Sequence, residues 1–358
     1  MQKHKKVFIL SLGRRGGSVR YGTSIIDSML CNKEVFVSSF CSEVLPKQCS
    51  RIFTYRNKFE FLFSTLFILP FLWLYVLYGL ILGKYNAFYS PYTHYWNLLF
   101  VYTFKLFGIK TVLTIHDGIP HTGDGNLCER IINYATIIHS EQLIFLTNHV
   151  YHYLKSKINF SAKCHIIPHG PIKIKGVNTN REEPNGGFNL LFLGRVCHYK
   201  GVDLLIESLS SLPTEMIKSC TIAGEVSSDQ KHLKDSPCPI NITWIDKWLL
   251  ESEIAEQINK ADLLVLPYRE ATQSGVMSIG ISSNLPMLST KVGGLIEQCS
   301  TDECYYVDPN PKAIANGIKK VISSPDFYKN SLLHLQKKNE TINWSFIASQ
   351  IEKTLLEI

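Results

Sequence analysis

The sequence lacks the residue spacings that mark metal and redox sites. Ten cysteines are present, but none form a C-x-x-C pair, so neither a zinc site nor a redox pair is indicated and we expect reduced thiols. No low-complexity tract or short-period repeat is visible, which disfavours solenoids and propellers. The amino terminus passes directly into a strand-like run, without the cleavable small-residue site of a secretory signal. We therefore expect a cytoplasmic protein that holds no metal and no cofactor.

Charge is scarce and unevenly distributed along the chain. Charged residues make up 19% of the 358 positions, and the net charge is +7. Residues 1–170 contain 18 Lys and Arg against 8 Asp and Glu, a net charge of +10. A basic half is typical of proteins that bind nucleic acid or an anionic membrane surface. Arg14, Arg15 and Arg20 are accompanied by no helix-turn-helix pattern, zinc spacing or aromatic RNA-binding signature, so we favour the membrane surface and expect no nucleic acid.

Residues 61–82 form a run of 22 positions without a charge. Such a run is long enough to cross a bilayer. However, Pro70 interrupts its centre, and the sequences before and after it both belong to one predicted domain. Three readings stay open: a helix embedded in a membrane surface, a buried core helix and a true span. We favour the first, with the protein peripheral on the inner face of the cell membrane.

Short apolar strands alternate with helical stretches in both halves of the chain. This pattern predicts parallel sheets covered on both faces. The expected fold class is α/β, with two Rossmann-like, doubly wound domains facing a cleft into which the carboxyl ends of the strands point. The predicted parts are a first domain over 1–170, a linker over 171–187, a second domain over 188–340 and a helix over 341–358 that can pack back on the first domain.

Two cations follow the first predicted strand of the second domain. That strand ends at Gly194, and Arg195 and Lys200 flank the loop before a helix that begins near Val202. Beside a helix amino terminus, a forked guanidinium and an ammonium make a site for a phosphate or a diphosphate. The alternative is a solvated turn whose loop caps the helix.

The stretch LPYREATQSGVMSIG, residues 266–280, leads another strand into a turn of small polar residues. Backbone amides at the start of the following helix predict an anion site. Glu270 stands beside this site, where a carboxylate suits the hydroxyls of a sugar better than it suits phosphate. Together these features indicate a nucleotide sugar, unless Glu270 merely caps the helix.

Seven motifs carry a resemblance that covers nearly the whole chain. They are LGRRGGSV, TIHDG, IIPHG, FLGRVCHYKG, ADLLVLPYREATQSGV, STKVGGLIE and INWSFIA. With them the chain resembles the GT-B glycosyltransferases, and specifically the large retaining family 4 of glycosyltransferases. The resemblance implies a retaining transfer, hexosyl in type, from a nucleotide-diphosphate sugar such as a UDP or GDP sugar.

The resemblance also implies roles for individual residues. Arg195 and Lys200 would bind the donor diphosphate, and Gly194 would begin their loop. Glu270 would contact hydroxyls of the donor sugar. His116 of TIHDG would reach that sugar from the first domain and share the catalytic assignment with Glu270; a satisfied histidine at a strand end is the alternative. The remaining donor-binding positions are Gly16, Gly17, Thr272, Gln273, Ser274, Gly275, Val276 and Ser278.

The sequence departs from the family pattern at one position. A second glutamate normally stands eight residues after the first and holds the nucleotide ribose, but this chain has Ser278 there. The ribose contact must then be weaker, mediated by water or supplied by another residue such as Glu297. His169 and His94 are less certain site residues, because histidines in such places are more often structural.

The expected acceptor is a lipid-linked saccharide of surface polysaccharide synthesis, O-antigen or capsule-like, because the basic first half and the apolar run point to a membrane. No carboxylate is convincingly placed as a nucleophile, so we favour attack on the same face, assisted by the leaving diphosphate. A non-catalytic GT-B subunit that binds a nucleotide sugar or a partner enzyme stays open. A Rossmann oxidoreductase ranks last, because LGRRGGSV lacks the G-x-G-x-x-G spacing.

Overall fold

The computed structural model of the chain describes residues 5–116 and 127–356. The chain divides into two compact units, one of Met1–Gly170 with Trp344–Ile358 and the other of Pro171–Asn343. Each unit is built on one parallel sheet with helices. The predicted α/β class with two Rossmann-like domains is therefore confirmed.

The first unit contains a seven-stranded sheet. Its strands are β1 Lys6–Ser11, β2 Lys33–Ser38, β3 Ser50–Ile52, β4 Tyr85–Ser90, β5 Lys110–Ile115, β6 Gln142–Phe145 and β7 Lys163–Ile166. They are ordered β3-β2-β1-β4-β5-β6-β7, and all neighbouring pairs are parallel. The strand order therefore reverses between β1 and β4, the point where doubly wound sheets bind ligands.

Among the described residues, six helices of this unit precede the second unit along the chain. They are α1 Gly17–Ser28, α2 Lys58–Phe63, α3 Leu69–Ile81, α4 Asn97–Leu106, α5 Leu127–His139 and α6 Asn148–Lys157. A π turn, Ser64–Ile68, joins α2 to α3, and Leu69 N–H donates to the carbonyl oxygen of Ser64. Pro70 follows this turn and cannot donate a hydrogen bond, and a local widening of this kind keeps a proline-containing helix continuous.

The continuous helix Lys58–Ile81 corresponds to the apolar run of the sequence. Among the residues that the structure describes, it is the one helix whose length and composition would allow it to cross a membrane. Leu72, Val76 and Leu80 line its inner side and pack into the aromatic core beside the sheet. Only 22% of its most apolar stretch of 18 residues is buried, so most of the apolar surface of this helix lies outside the core.

The second unit contains a six-stranded sheet. Its strands are β8 Phe188–Leu193, β9 Ile217–Ala223, β10 Ile242–Ile245, β11 Leu263–Leu266, β12 Met287–Thr290 and β13 Cys304–Val307. All neighbours are parallel in the order β10-β9-β8-β11-β12-β13, which reverses between β8 and β11.

Its helices are α7 Val202–Leu209, α8 Glu251–Lys260, α9 Gly275–Ser282, α10 Leu295–Gln298, α11 Pro311–Ile322 and α12 Pro325–Thr341. The last helix, α13 Trp344–Leu356, belongs to the first unit and packs against α1, β4 and β5. Glu352 of α13 accepts a hydrogen bond from the backbone N–H of Cys31, at 2.6 Å. The end of the chain is thereby part of the first domain's structure.

Candidate functional site

The second sheet places two of the predicted loops side by side. β8 and β11 are neighbours where the strand order reverses. Gly194 and Arg195 follow β8 directly, and the turn over 267–274 follows β11. Because the strands are parallel, both loops leave the same edge of the sheet. The topology therefore brings the cation-bearing loop next to the turn before α9.

Contacts between these loops join several of the predicted donor residues. Lys200 Nζ lies 3.7 Å from the ring centroid of Tyr268, an arrangement in which an ammonium rests on an aromatic face. The hydroxyl of Tyr268, whose side chain is fully buried, is 3.3 Å from Ser274 Oγ. A Cβ built on Gly194 would lie 3.4 Å from Val276 Cγ2. Four of the donor residues that the sequence named therefore lie close together: Gly194, Lys200, Ser274 and Val276.

Arg195 and Lys200 share the surroundings of Tyr199. Burial raises the pKa of the Tyr199 hydroxyl, and the charges of both cations oppose that rise, Arg195 through a hydrogen bond as well. Arg195 is exposed and Lys200 is half-buried. The two predicted diphosphate ligands are thus on one short loop, at the edge where a ligand would bind.

An ion pair that the sequence did not reveal ties the two loops together. Arg269 donates to both carboxylate oxygens of Asp203, at 2.7 and 2.5 Å. The backbone N–H of Arg269 donates to the carbonyl oxygen of Tyr199, at 2.8 Å. Burial raises the pKa of the Asp203 carboxyl, but the hydrogen bonds and charge of Arg269 outweigh it and keep that pKa below its usual value. Since a bidentate pair has a fixed geometry, it holds the loops at a set distance.

Gly201 lies at a close approach between these two loops. Its φ is +64°, and a Cβ there would lie 2.0 Å from the carbonyl oxygen of Pro267. We predict that Gly201→Ala lowers the free energy of unfolding by more than about 1 kcal/mol, because alanine is strained at positive φ and too close to that backbone. Gly186→Ala is the matched control, since Gly186 has a φ of +98° but nothing within 4 Å of its Cβ position. Urea denaturation measures the free energy of unfolding of both variants. If both lose the same amount, the contact with Pro267 has no effect.

Ser274, the last residue of the turn, caps the amino terminus of α9. Ser274 Oγ accepts from the backbone N–H of Met277 at 3.2 Å, so Ser274, and not Glu270, is the N-cap residue. Glu270 is exposed and Thr272 is half-buried. Gly275 begins α9, and the first amides of a helix have no partner within it. A helix therefore begins at the place that the sequence predicted.

The glycine loop of the first unit is folded around a carboxylate. Gly16 N–H donates to Glu43 Oε1 at 3.0 Å, and Arg20 Nε donates to Glu43 Oε2 at 2.7 Å. Gly16 has a φ of +96° and precedes Gly17, the first residue of α1. The loop follows β1 at the reversal point of the first sheet. Glu43, which no sequence motif indicated, therefore holds the shape of the loop that was expected to approach the donor.

His116 directly follows β5 and is 6% exposed. Its Nε2 lies 2.9 Å from the carbonyl oxygen of Pro91. The ring of Tyr21 meets the imidazole edge-on, with 4.7 Å between ring centroids. These contacts fix the imidazole at the carboxyl edge of the first sheet. Asp117 and Gly118 of the same motif lie outside the described residues.

His94 is buried and His169 is half-buried, and both lie among aromatic rings. His169 lies 5.2 Å from Tyr21 and 5.8 Å from Trp344, measured between ring centroids. Burial, aided for His169 by the charge of His116, lowers the pKa of each imidazole to about 3. Both rings are therefore neutral near pH 7, in keeping with the structural reading.

The chain is similar to known proteins in part of its sequence and in its fold. Residues 187–324 match the family model Glycosyl transferases group 1. Sucrose-phosphate synthase from Thermosynechococcus elongatus is similar along the whole chain, with a TM-score of 0.70, 16% identity and 98% of each chain covered. The segment 187–324 therefore matches this glycosyltransferase family, and the chain as a whole has the GT-B fold.

Two further solved structures share this glycosyltransferase fold. HepE of Anabaena, in complex with UDP and glucose, has a TM-score of 0.73 and 14% identity, covering 99% of this chain and 100% of that chain. WaaG, a glycosyltransferase involved in lipopolysaccharide biosynthesis, has a TM-score of 0.68 and 15% identity, covering 98% and 99%. No curated protein matches the chain by sequence.

The position at which the family has its second glutamate is closed to solvent in this protein. Ser278 is 1% exposed, and its hydroxyl lies 3.4 Å from both the carbonyl oxygen of Ser274 and Gln298 Nε2. Glu297, which the sequence suggested as a substitute, is exposed. The adjacent Gln298 is the side chain that reaches Ser278, and no motif in the sequence singled it out.

Proposed function

We propose that this protein is a retaining, hexosyl-type glycosyltransferase that moves a sugar from a UDP or GDP sugar to a lipid-linked saccharide acceptor, in the synthesis of a surface polysaccharide such as O-antigen or capsule. The main supporting observation is that Arg195, Lys200 and the amino terminus of α9 lie at the same edge of the second sheet. Two cations and a helix amino terminus stabilise a leaving diphosphate. HepE of Anabaena, solved with UDP and with UDP-glucose, supports a nucleotide sugar as donor.

The proposed reaction needs no covalent intermediate. The bond between the sugar and the diphosphate oxygen breaks, and the acceptor hydroxyl forms its bond on the same face while its proton passes to the leaving diphosphate. Arg195 and Lys200 take up the charge that develops on that leaving group, which is the largest electrostatic change of the step. Glu270 and His116 would hold the donor sugar. Among the described residues, no three His, Cys, Asp or Glu side chains are grouped as metal ligands.

Nucleotide binding followed by transfer tests this proposal. UDP or GDP should raise the melting temperature of the full chain, because a ligand at a hundred times its Kd stabilises the folded state by about 2.7 kcal/mol. The protein should then transfer sugar to a lipid-linked acceptor, with the donor's anomeric configuration kept in the product. Nucleotide binding without transfer to any acceptor would favour the non-catalytic subunit instead.

Glu270 and Ser278 should respond very differently to mutation. We predict that Glu270→Gln lowers the transfer rate at least about tenfold, because an amide accepts hydrogen bonds from sugar hydroxyls less strongly than a carboxylate does. Ser278→Ala should cost less than about threefold, because the hydroxyl of Ser278 is buried and lies 3.4 Å from both the carbonyl oxygen of Ser274 and Gln298 Nε2, a distance at which a hydrogen bond contributes little. Steady-state rates at saturating and subsaturating donor check both. A dead Ser278→Ala beside a normal Glu270→Gln would mean that the motif was assigned in the wrong register.

The membrane part of the proposal rests on the apolar surface of the first unit. The outward side of α3 exposes Phe71, Leu74 and Tyr78, at 74%, 52% and 63% of their surfaces. α4 packs beside both α3 and α5, and these neighbours expose Leu106 at 85% and Ile131 at 58%. An extended apolar surface on the basic half of the chain suits an anionic lipid interface. We therefore propose a peripheral location on the inner face of the cell membrane, within reach of a lipid-linked acceptor.

A further inference from the structure

Gln298 makes three contacts with the turn that begins α9. Its Oε1 accepts from the backbone N–H of Ser274 at 2.6 Å. Its Nε2 lies 3.2 Å from the carbonyl oxygen of Ser274 and 3.4 Å from Ser278 Oγ. One amide group thus bonds both backbone groups of the N-cap residue and the side chain one turn further along the helix.

The backbone of Gln298 is itself held in place. Lys338 Nζ donates to the carbonyl oxygen of Gln298 at 2.8 Å and to Glu303 Oε2 at 2.5 Å. The side chains of Lys338 and Glu303 are only 16% and 11% exposed. Glu303 in turn accepts from the backbone N–H of Ser300 at 2.9 Å. A largely buried ion pair therefore braces the segment that presents Gln298, as expected of a side chain whose orientation matters.

The amide of Gln298 occupies the space into which a longer side chain at position 278 would extend. Only 3.4 Å separates Gln298 Nε2 from Ser278 Oγ, so a glutamate at 278 would meet that amide before it reached solvent. The small side chain of Ser278 therefore leaves room for the amide of Gln298. We infer that the loss of the second glutamate and the presence of Gln298 are linked.

We propose that Gln298 is a positioning residue for the donor nucleotide: it sets the turn before α9 and fills the space that the missing glutamate would occupy. The inference rests on the proposed function, because it assumes that this turn faces a nucleotide diphosphate. Because Gln298 accepts the hydrogen bond of the Ser274 N–H, that N–H does not point to the anion. The amides at the start of α9, at Gly275 and Val276, then bind the ligand. It follows that nucleotide affinity depends on position 298 more than on position 278.

Three variants of the full chain test this assignment, with UDP and GDP as the probes in isothermal titration. Gln298→Ala should raise the Kd of the bound nucleotide about tenfold, because a lost network of hydrogen bonds is worth roughly that factor. It should raise the donor KM by a similar factor while kcat changes less than about twofold. Ser278→Glu alone should also weaken binding. The double variant should recover to within about threefold of wild type, because the new carboxylate then has room and the two effects are not additive.

The outcomes separate the two proposals. Titrations are made well below the melting temperature of each variant, with Gln336→Ala on the exposed side of α12 as the control. Wild type that binds neither UDP nor GDP overturns the proposed function and this inference together. Wild type that binds, beside a folded Gln298→Ala with an unchanged Kd, overturns only the role of Gln298. A double variant as weak as the product of the two single changes also overturns it, because the two side chains would then not share one space.

Discussion

Arg195→Ala and Lys200→Ala should each lower kcat/KM for sugar transfer by about 30- to 1,000-fold, which corresponds to about 2 to 4 kcal/mol of transition-state stabilisation. The reason is that charge on the leaving diphosphate grows as the sugar departs, and each cation meets that growing charge. The Lys200 ammonium is already fixed against Tyr268, at 3.7 Å from the ring centroid. A preorganised charge of this kind needs little rearrangement when the reaction occurs.

Rates at saturating and subsaturating donor measure this effect, and circular dichroism checks that the fold survives. Lys320→Ala is the matched control, because Lys320 is an exposed lysine on α11 of the same unit. It should leave the rates unchanged and thereby separate a local charge effect from the loss of any positive charge. Transfer at the wild-type rate by folded Arg195→Ala and Lys200→Ala would show that the diphosphate binds elsewhere.

The central strands could be predicted from the sequence because they are short, apolar and buried on both faces. β1 and β4, for example, are buried along nearly their whole lengths. Three other strands, β3, β7 and β13, have a weaker strand pattern in the sequence and lie toward the edges of their sheets. β3 and β7 have mostly exposed or half-buried residues, and β13 closes the second sheet. An edge strand packs less apolar surface, so its sequence resembles that of a loop.

The candidate site could be predicted where its residues lie in a loop that follows a strand. Arg195 and Lys200, in the loop after β8, were predicted in this way. Arg269 and Asp203 are 66 residues apart, and Gln298 and Ser274 are 24 apart. Pairs at such separations leave no local pattern, because the parallel sheet brings them together only after folding. The sequence showed that the glutamate at position 278 was missing, but the residue that occupies its space became visible only in three dimensions.

The apolar helix shows a different limit of sequence reasoning. Its length and lack of charge were evident, but not which side faces the domain, because inner and outer residues are equally apolar. Replacing Leu72, Trp73 and Leu77, for example, would not isolate membrane binding. Leu72 is buried at 6% exposure, and Trp73 Nε1 donates to Thr103 Oγ1 at 2.9 Å. Changing them would damage the fold, so the outer face of α3 must be tested instead.

Replacing Phe71, Leu74 and Tyr78 by serine should lower binding to anionic vesicles more than about tenfold, because each large apolar side chain that leaves an apolar environment costs about 1.5 to 3 kcal/mol. All three side chains are more than half exposed, so the melting temperature should change little. Moderate salt should weaken the binding of wild type only in part, since it screens charge but not insertion. Co-sedimentation with vesicles of anionic and of zwitterionic lipid measures both effects.

The triple variant should lose activity on a lipid-linked acceptor in vesicles and keep its turnover of a short, water-soluble acceptor, because Arg195 and Lys200, the proposed diphosphate ligands, lie in the other unit. The control is Leu250→Ser with Leu333→Ser, two apolar residues of the second unit that are 67% and 61% exposed. These changes should leave vesicle binding unaltered. Equal vesicle binding by the triple variant and wild type would eliminate the outer face of α3 as the docking surface. A wild-type protein that stays insoluble without detergent even at high salt would instead identify Lys58–Ile81 as a true span, and neither result would change the argument for Arg195 and Lys200.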